Sequence, residues 1–210
     1  MVQNALADRY CYGGRVARVK EFDREAALQA AIVTFAAHGF EGTSTDDLLR
    51  AMQIGRQSMY DTFGDKRQLY LAALRQYGSD SLAAMLALLE RAASPLAGIE
   101  AVLLDFARHP RRLGTSSCLG VSSICEFGRS DAEVSAINDE FGKLLEKAFE
   151  RQVQAAIGAG EVDETLNARE VARYLSVTLC GMKVGAEAGS SPAHLTSVAR
   201  LALRTLTAGR

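Results

Sequence analysis

Tryptophan is absent from the 210 residues, and proline occurs only three times. So little proline leaves long stretches free to be helical, because each proline removes a backbone donor and clashes with the preceding turn. Histidine is as scarce, at positions 38, 109 and 194, one beside a glycine and two close to a proline. None of the three is poised against a nucleophile, and there is no glycine-rich phosphate loop and no serine elbow, which argues against an enzyme. The four cysteines, at 11, 118, 125 and 180, form no Cys-x-x-Cys pair and have no histidine at ligand spacing. That pattern is neither a zinc site nor a disulfide framework, so reduced thiols are expected, with no metal and no cofactor. No run of about 18 apolar residues is present, which excludes a membrane span. The opening MVQNALADRYCYGG lacks the basic start and apolar stretch of an export signal, so a cytoplasmic protein is expected. Charge of one sign is lacking too: the formal net charge is -1, and any contact with nucleic acid must come from local clustering.

What the chain does have is apolar material, 48% of its residues against 23% charged, enough for a sizeable core. Alanine and leucine dominate, and both lose little side-chain entropy in a helix. The fold class expected is all-α. Residues 1–20 read as a polar tail ending in Arg15, Arg18 and Lys20. It is either a solvated arm or one that follows phosphates or enters a minor groove.

From Asp23, a plausible N-cap, the residues Leu28, Ala31, Ile32 and Phe35 recur at helical steps, and His38-Gly39 ends the first helix. Ser44 with Asp47 three residues on is a capping-box arrangement, and Leu48, Leu49 and Met52 supply the buried face of a short second helix. Gln53-Ile54-Gly55 then breaks the pattern. RQSMYDTF follows as a third helix, with Met59 and Phe63 facing inward. Asp65 caps a long fourth. Three short helices with a tight turn between the second and third make a helix-turn-helix head over residues 21–67. Residues 68–210 read as a larger helical domain for ligand binding and dimerisation. Its further helical segments are GIEAVLLDFARH, 118–127, 131–158, 167–186 and 192–207.

A helix that reads DNA presents forked or short polar side chains at its N-terminal end and holds phosphates on both flanks. Arg56 and Gln57 begin the third helix, where arginine can pair with guanine and glutamine with adenine. Ser58, Tyr60 and Asp61 lie in the next turn, and Lys66 sits just beyond the helix, within reach of a phosphate. Thr43, Ser44 and Thr45 surround the start of the second helix, where free backbone N–H groups favour a phosphate oxygen.

The run TSTDDLLRAMQIGRQSMYDTFGDKRQL, from Thr43 to Leu69, resembles the DNA-binding motif of TetR-type regulators: a threonine-rich helix start, a short turn, then Tyr-x-x-Phe-x-x-Lys. Tyr60, Phe63 and Lys66 match position by position. The resemblance implies that Tyr60 and Lys66 bind phosphates and that Arg56, Gln57 and Ser58 face the bases. Two positions depart from the motif. Its usual turn glycine is Gln53 here, and its usual capping serine is Gly55, as in a subgroup with an Ile-Gly-Arg-Gln-Ser run.

Past residue 70 the resemblance is thinner. SSCLGVSSICEFGRSDAEV is similar to a segment of these regulators in which a Cys-Leu pair opens a helix, and Glu161–Leu206 resembles their last two helices, which pair with their copies into a four-helix bundle. Val171, Leu175, Thr178, Leu179 and Met182 form one apolar stripe there. Leu195, Val198, Leu201, Ala202 and Leu206 form another, with Gly181, Gly185 and Ala199 as small residues for close approach. Both stripes suit either a homodimer or an ordinary intrachain core.

Candidates for the wall of a ligand pocket are Met85, Phe106, Phe141 and Phe149 with Cys118, Cys125 and Cys180, and Glu126 as polar partner. Any one of them could instead simply fill the core. Cys118 and Cys125 share a helical face but stand too far apart to bridge within one helix. The resemblance implies a sequence-specific DNA-binding transcription regulator, a repressor that an unidentified small-molecule effector releases from operator DNA, with the long fourth helix as lever. The alternatives are an activator, or a helical partner-binding protein without sequence-specific DNA binding.

Overall fold

A computed structural model describes residues 22–110 and 117–207. Arg15, Arg18, Lys20 and Cys11 lie outside the described residues, and with them the expectation of a DNA-binding arm.

Every element among the described residues is helical. Helix α1 (Arg24–His38) starts where the Asp23 carboxylate accepts the N–H groups of Glu25 and Ala26 at 2.9 and 3.1 Å. It buries Leu28, Ala31, Ile32 and Phe35 and stops at Gly39, whose φ of 72° a β-carbon would resist. Helix α2 (Thr45–Met52) opens with the reciprocal Ser44–Asp47 capping box. Its last turn ends at Gln53 in the left-handed region, φ 56°, ψ 35°. Glycine takes that conformation freely, whereas glutamine pays about 1–2 kcal/mol for it. Helix α3 (Arg56–Phe63) turns Met59 and Phe63 inward. The Asp65–Gln68 capping box then starts α4 (Lys66–Arg91), a rod of 26 residues.

Pro95 does not merely interrupt the chain. It is the first residue of α5 (Pro95–Arg108), behind a Ser94 cap, where its missing N–H is no loss. Helices α6 (Leu119–Phe127), α7 (Ala132–Gly158), α8 (Ala168–Glu187) and α9 (Pro192–Thr205) complete the order. No helix among the described residues is long and apolar enough to cross a membrane.

Two cores result. One gathers the inner faces of α1, α2 and α3, the first turns of α4, and Leu119, Val134 and Ile137 from α6 and α7. Aromatic rings tie it together: Tyr70 meets Phe35 at 5.0 Å, Phe40 at 5.1 Å and Phe127 at 5.6 Å between centroids. The other core holds Leu89 at the far end of α4 with the buried faces of α5, α7, α8 and α9. Helix α4 belongs to both.

This packing separates the two uses left open for the stripes of the last two helices. Val171, Leu175, Leu179 and Met182 are buried inside the protomer, as are Leu195, Ala199, Ala202 and Leu206. The apolar side chains left outside are Tyr174, Val177 and Val184 on α8 and Val198 and Leu201 on α9, with Val177 72% and Leu201 63% exposed. Gly181 opens to free space among them, whereas Gly185 faces Ser190 and Leu195 of its own chain.

Charge also ties the start of α4 to the start of α7. Arg67 at the start of α4 donates to Asp131 at 2.5 Å and to Glu133 at 2.7 Å. The Arg67 guanidinium, with backbone donors at the start of α7, holds the Asp131 carboxyl down to about 2. A carboxyl depressed on folding stabilises the fold above its unfolded pKa, and the contribution disappears as pH falls through the folded value. Asp131→Asn should therefore be less stable than wild type at neutral pH. The gap should close between about pH 4 and pH 2, read by denaturant midpoints across that range.

Candidate nucleic-acid interface and interior chamber

The head's outer surface is built by α2 and α3. Met59 and Phe63 are buried beneath α3, so its opposite face stands clear of the core. On that face Arg56 reaches Asp46 of α2 at 2.6 Å, and Gln57 donates to Asp61 at 2.7 Å. Both pairs are exposed, and an exposed ion pair is worth about 0–1 kcal/mol, so Arg56 and Gln57 can exchange these partners for base edges. Ser58 is half-buried, and Tyr60 points outward, 44% exposed. Ser44 is exposed and caps α2, with Thr45 beside it as the first helical residue.

Thr43 departs from its expected role. It is buried, its hydroxyl donates to the Gly39 carbonyl at 2.6 Å and its N–H to the Phe40 carbonyl at 3.3 Å, so both serve the α1–α2 turn rather than a phosphate. Lys66 is the first residue of α4, behind the Asp65 cap. Its Nζ lies 4.3 Å from the centroid of the Phe40 ring, a cation–π contact that fixes the stem.

Between the two cores lies a chamber walled by α4, α6, α7 and α8 and open on one side to solvent, with a volume of about 190 Å³, beside a smaller one of about 80 Å³ that reaches α5. Tyr77, Ser81, Met85, Cys118, Leu179 and Lys183 line both. Phe106 lines the smaller, and Phe141 and Cys180 the larger. Burial and the neighbouring Cys118 push the Tyr77 phenol well above its ordinary pKa, against the opposing effect of Ser81. A β-carbon on Gly78 would collide with the Phe141 ring, so α4 and α7 meet there only because that residue is glycine.

Three expected wall residues lie elsewhere. Phe149 is fully buried in the packed core and borders neither chamber. Cys125 is exposed, two turns along α6 from Cys118, which is the residue before that helix rather than part of its face. Glu126 faces the head, where its carboxylate accepts the N–H groups of Phe40 at 2.9 Å and Glu41 at 2.7 Å. It clamps the α1–α2 turn to the end of α6.

Polar chamber residues missed from the sequence include Tyr77, Ser81, Ser176 and Lys183. Tyr77, Ser81 and Met85 stand at four-residue steps along α4, and Ser176, Leu179 and Lys183 along one stripe of α8. That periodicity was available as a signal. Among the described residues no group of three or more histidine, cysteine, aspartate or glutamate side chains is arranged to hold a metal ion.

Comparison with known proteins agrees with this geometry. Residues 27–73 match the model of bacterial regulatory proteins of the tetR family. The chain is 36% identical over 163 residues to an uncharacterized HTH-type transcriptional regulator, YezE, of Bacillus subtilis (strain 168), covering 76% of this chain and 83% of that one. It is 25% identical over 195 residues to the HTH-type transcriptional repressor ComR of Escherichia coli (strain K12), covering 89% and 90%. Among solved structures, a cysteine mutant of the TetR family transcriptional regulator CifR, complexed with 26-bp double-strand operator DNA, superposes with a TM-score of 0.77 at 26% identity. That match covers 90% of this chain and 99% of the other.

Proposed function

The chain belongs to the TetR family of DNA-binding transcription regulators, and from that premise we propose that it acts in the cytoplasm as a homodimeric repressor, released from operator DNA by a small molecule. The observation that carries the reading is the outer face of α3, where Arg56, Gln57 and Tyr60 stand exposed over a buried Met59–Phe63 anchor. In this reading Arg56, Gln57 and Ser58 contact bases. Tyr60, Lys66 and the N–H groups at Ser44 and Thr45 hold phosphates, and Asp61 orients Gln57. The reading head spans residues 21–67, and the remainder senses and dimerises.

The second copy of the chain covers the outer face of α8 and α9, with Val177, Gly181 and Leu201 at its centre. A two-fold dimer then presents two copies of α3 to a two-fold operator. Helix α4 supports the lever role, because Leu69 to Leu74 are packed in the head while Tyr77, Ser81 and Met85 line the chamber. A molecule that fits the chamber better when the two heads are misplaced will loosen DNA by that difference in affinity.

Fluorescence anisotropy on operator fragments recovered by selection tests the reading. Wild type should bind in a saturable, salt-dependent way. Lys66→Ala should weaken binding uniformly and lower the salt slope by about one, and Tyr60→Ala should weaken it as well. Binding no tighter than to random DNA would favour a helical partner-binding protein, and increased transcription from the bound promoter would make it an activator.

A further inference from the structure

We infer that the chamber is built for a small organic acid, an apolar body carrying a carboxylate that Lys183 receives. This deepens the effector reading and rests on it only for the consequence at DNA. The walls are chiefly apolar, with Leu74, Leu82, Phe141, Leu145 and Leu179 among them. Such walls take the body of an organic molecule and leave the polar groups to orient it.

Charge decides the class. The described residues lining the larger chamber include one ammonium, that of Lys183, and no carboxylate. Among the described residues Lys183 has no ion-pair partner. The nearby acids are engaged elsewhere: Asp105, on the smaller chamber, faces His109 at 3.5 Å, and Glu187, one turn further along α8, accepts the Cys118 N–H at 2.5 Å. A cationic ligand would meet a cation and no counter-charge in the larger chamber. A neutral one would leave the half-buried ammonium to solvent and gain nothing from it.

A second observation is independent of Lys183. Ser176 lines the same chamber, and its buried hydroxyl has no hydrogen-bond partner. Leaving such a group unsatisfied is costly. Ser176 stands seven residues from Lys183, roughly 10 Å along the α8 axis at 1.5 Å per residue. The ligand therefore lies along α8, its carboxylate at Lys183 and a second polar group at Ser176. Size limits it further: about 190 Å³ falls below the roughly 300 Å³ at which pockets for drug-sized molecules begin. One ring or a short chain fits.

Thermal-shift titration of the full chain tests this with 3-(4-hydroxyphenyl)propanoate, 3-phenylpropanoate, 3-phenylpropanamide and 3-phenylpropylamine. The two acids should raise the melting temperature and the amide and amine should not. Lys183→Gln should weaken acid binding roughly ten- to hundredfold, the range expected for a lost charged hydrogen bond. Ser176→Ala should erase the preference for the hydroxylated acid. Equal binding of amide or amine, no loss in Lys183→Gln, or no binding of either acid at millimolar concentration would each overturn the proposal. The same acids added to the protein–operator complex keep the two readings apart. Acid binding without DNA release leaves the site standing and removes the effector role, whereas operator binding without acid binding leaves the regulator and removes the site.

Discussion

Val177→Asp combined with Leu201→Asp should convert the protein from dimer to monomer and cut operator affinity by about two to four orders of magnitude. Both side chains are among the most exposed large apolar groups of the protomer, 72% and 63% open, so the change removes nothing from the internal core. In the dimer, four carboxylates would be forced into an apolar interface, at an effective several kcal/mol for each ion left without a partner. A dimer binds its second half-site at the high effective concentration set by the first, an advantage of about 10²- to 10⁴-fold that a monomer forfeits. Sedimentation should show half the mass, circular dichroism should show the helices intact, and anisotropy should show the loss. A variant that remains dimeric would move the interface off this face.

The apolar stripe read from the sequence of α8 shows where pattern reading stops. Helix α8 is apolar around most of its circumference, with Val171, Leu175 and Leu179 on one side and Tyr174, Val177 and Val184 on another. Periodicity finds the stripe with the best spacing. In a protein with both an internal core and a partner, that stripe goes to the core, where packing is tightest. The partner receives the second-best one. Gly181 and Gly185 have the same chemistry and separate in the same way, one open and one packed against Leu195.

The head was far more legible, because its determinants are local. Asp23, Ser44 and Asp65 each cap a helix through N–H groups within three residues, so the signal lies within a single turn of sequence. Gln53 was readable as a departure from a glycine position, and its left-handed backbone gives the physical reason for that glycine. Thr43 was misread because its place beside a helix start suggested a free N–H, whereas that N–H and the hydroxyl both close the preceding turn. Its bond to the Gly39 carbonyl needs the fold of the loop to be seen. Glu126 was misread for a longer-range reason. The N–H groups it accepts belong to Phe40 and Glu41, more than 80 residues earlier in the chain.

Phe149 gives the second large effect and separates packing from binding. It is fully buried among Leu103, Val153 and Leu175 and touches no chamber, so Phe149→Ala leaves a dry void. Such a truncation costs about 3–5 kcal/mol, against a total of roughly 5–15 kcal/mol for a folded protein. At about 2–4 °C per kcal/mol for a chain of this size, the melting temperature should fall by roughly 6–20 °C. Phe141 is the contrasting case, a half-buried ring over Gly78 that lines the larger chamber. Phe141→Ala should cost less stability and should enlarge the space available to a ligand. If the phenylalanine pair behaved alike in melting and in ligand titrations, the division between solid core and chamber would fail. If they diverge, α7 is a helix whose first half shapes the chamber and whose second half holds the domain together.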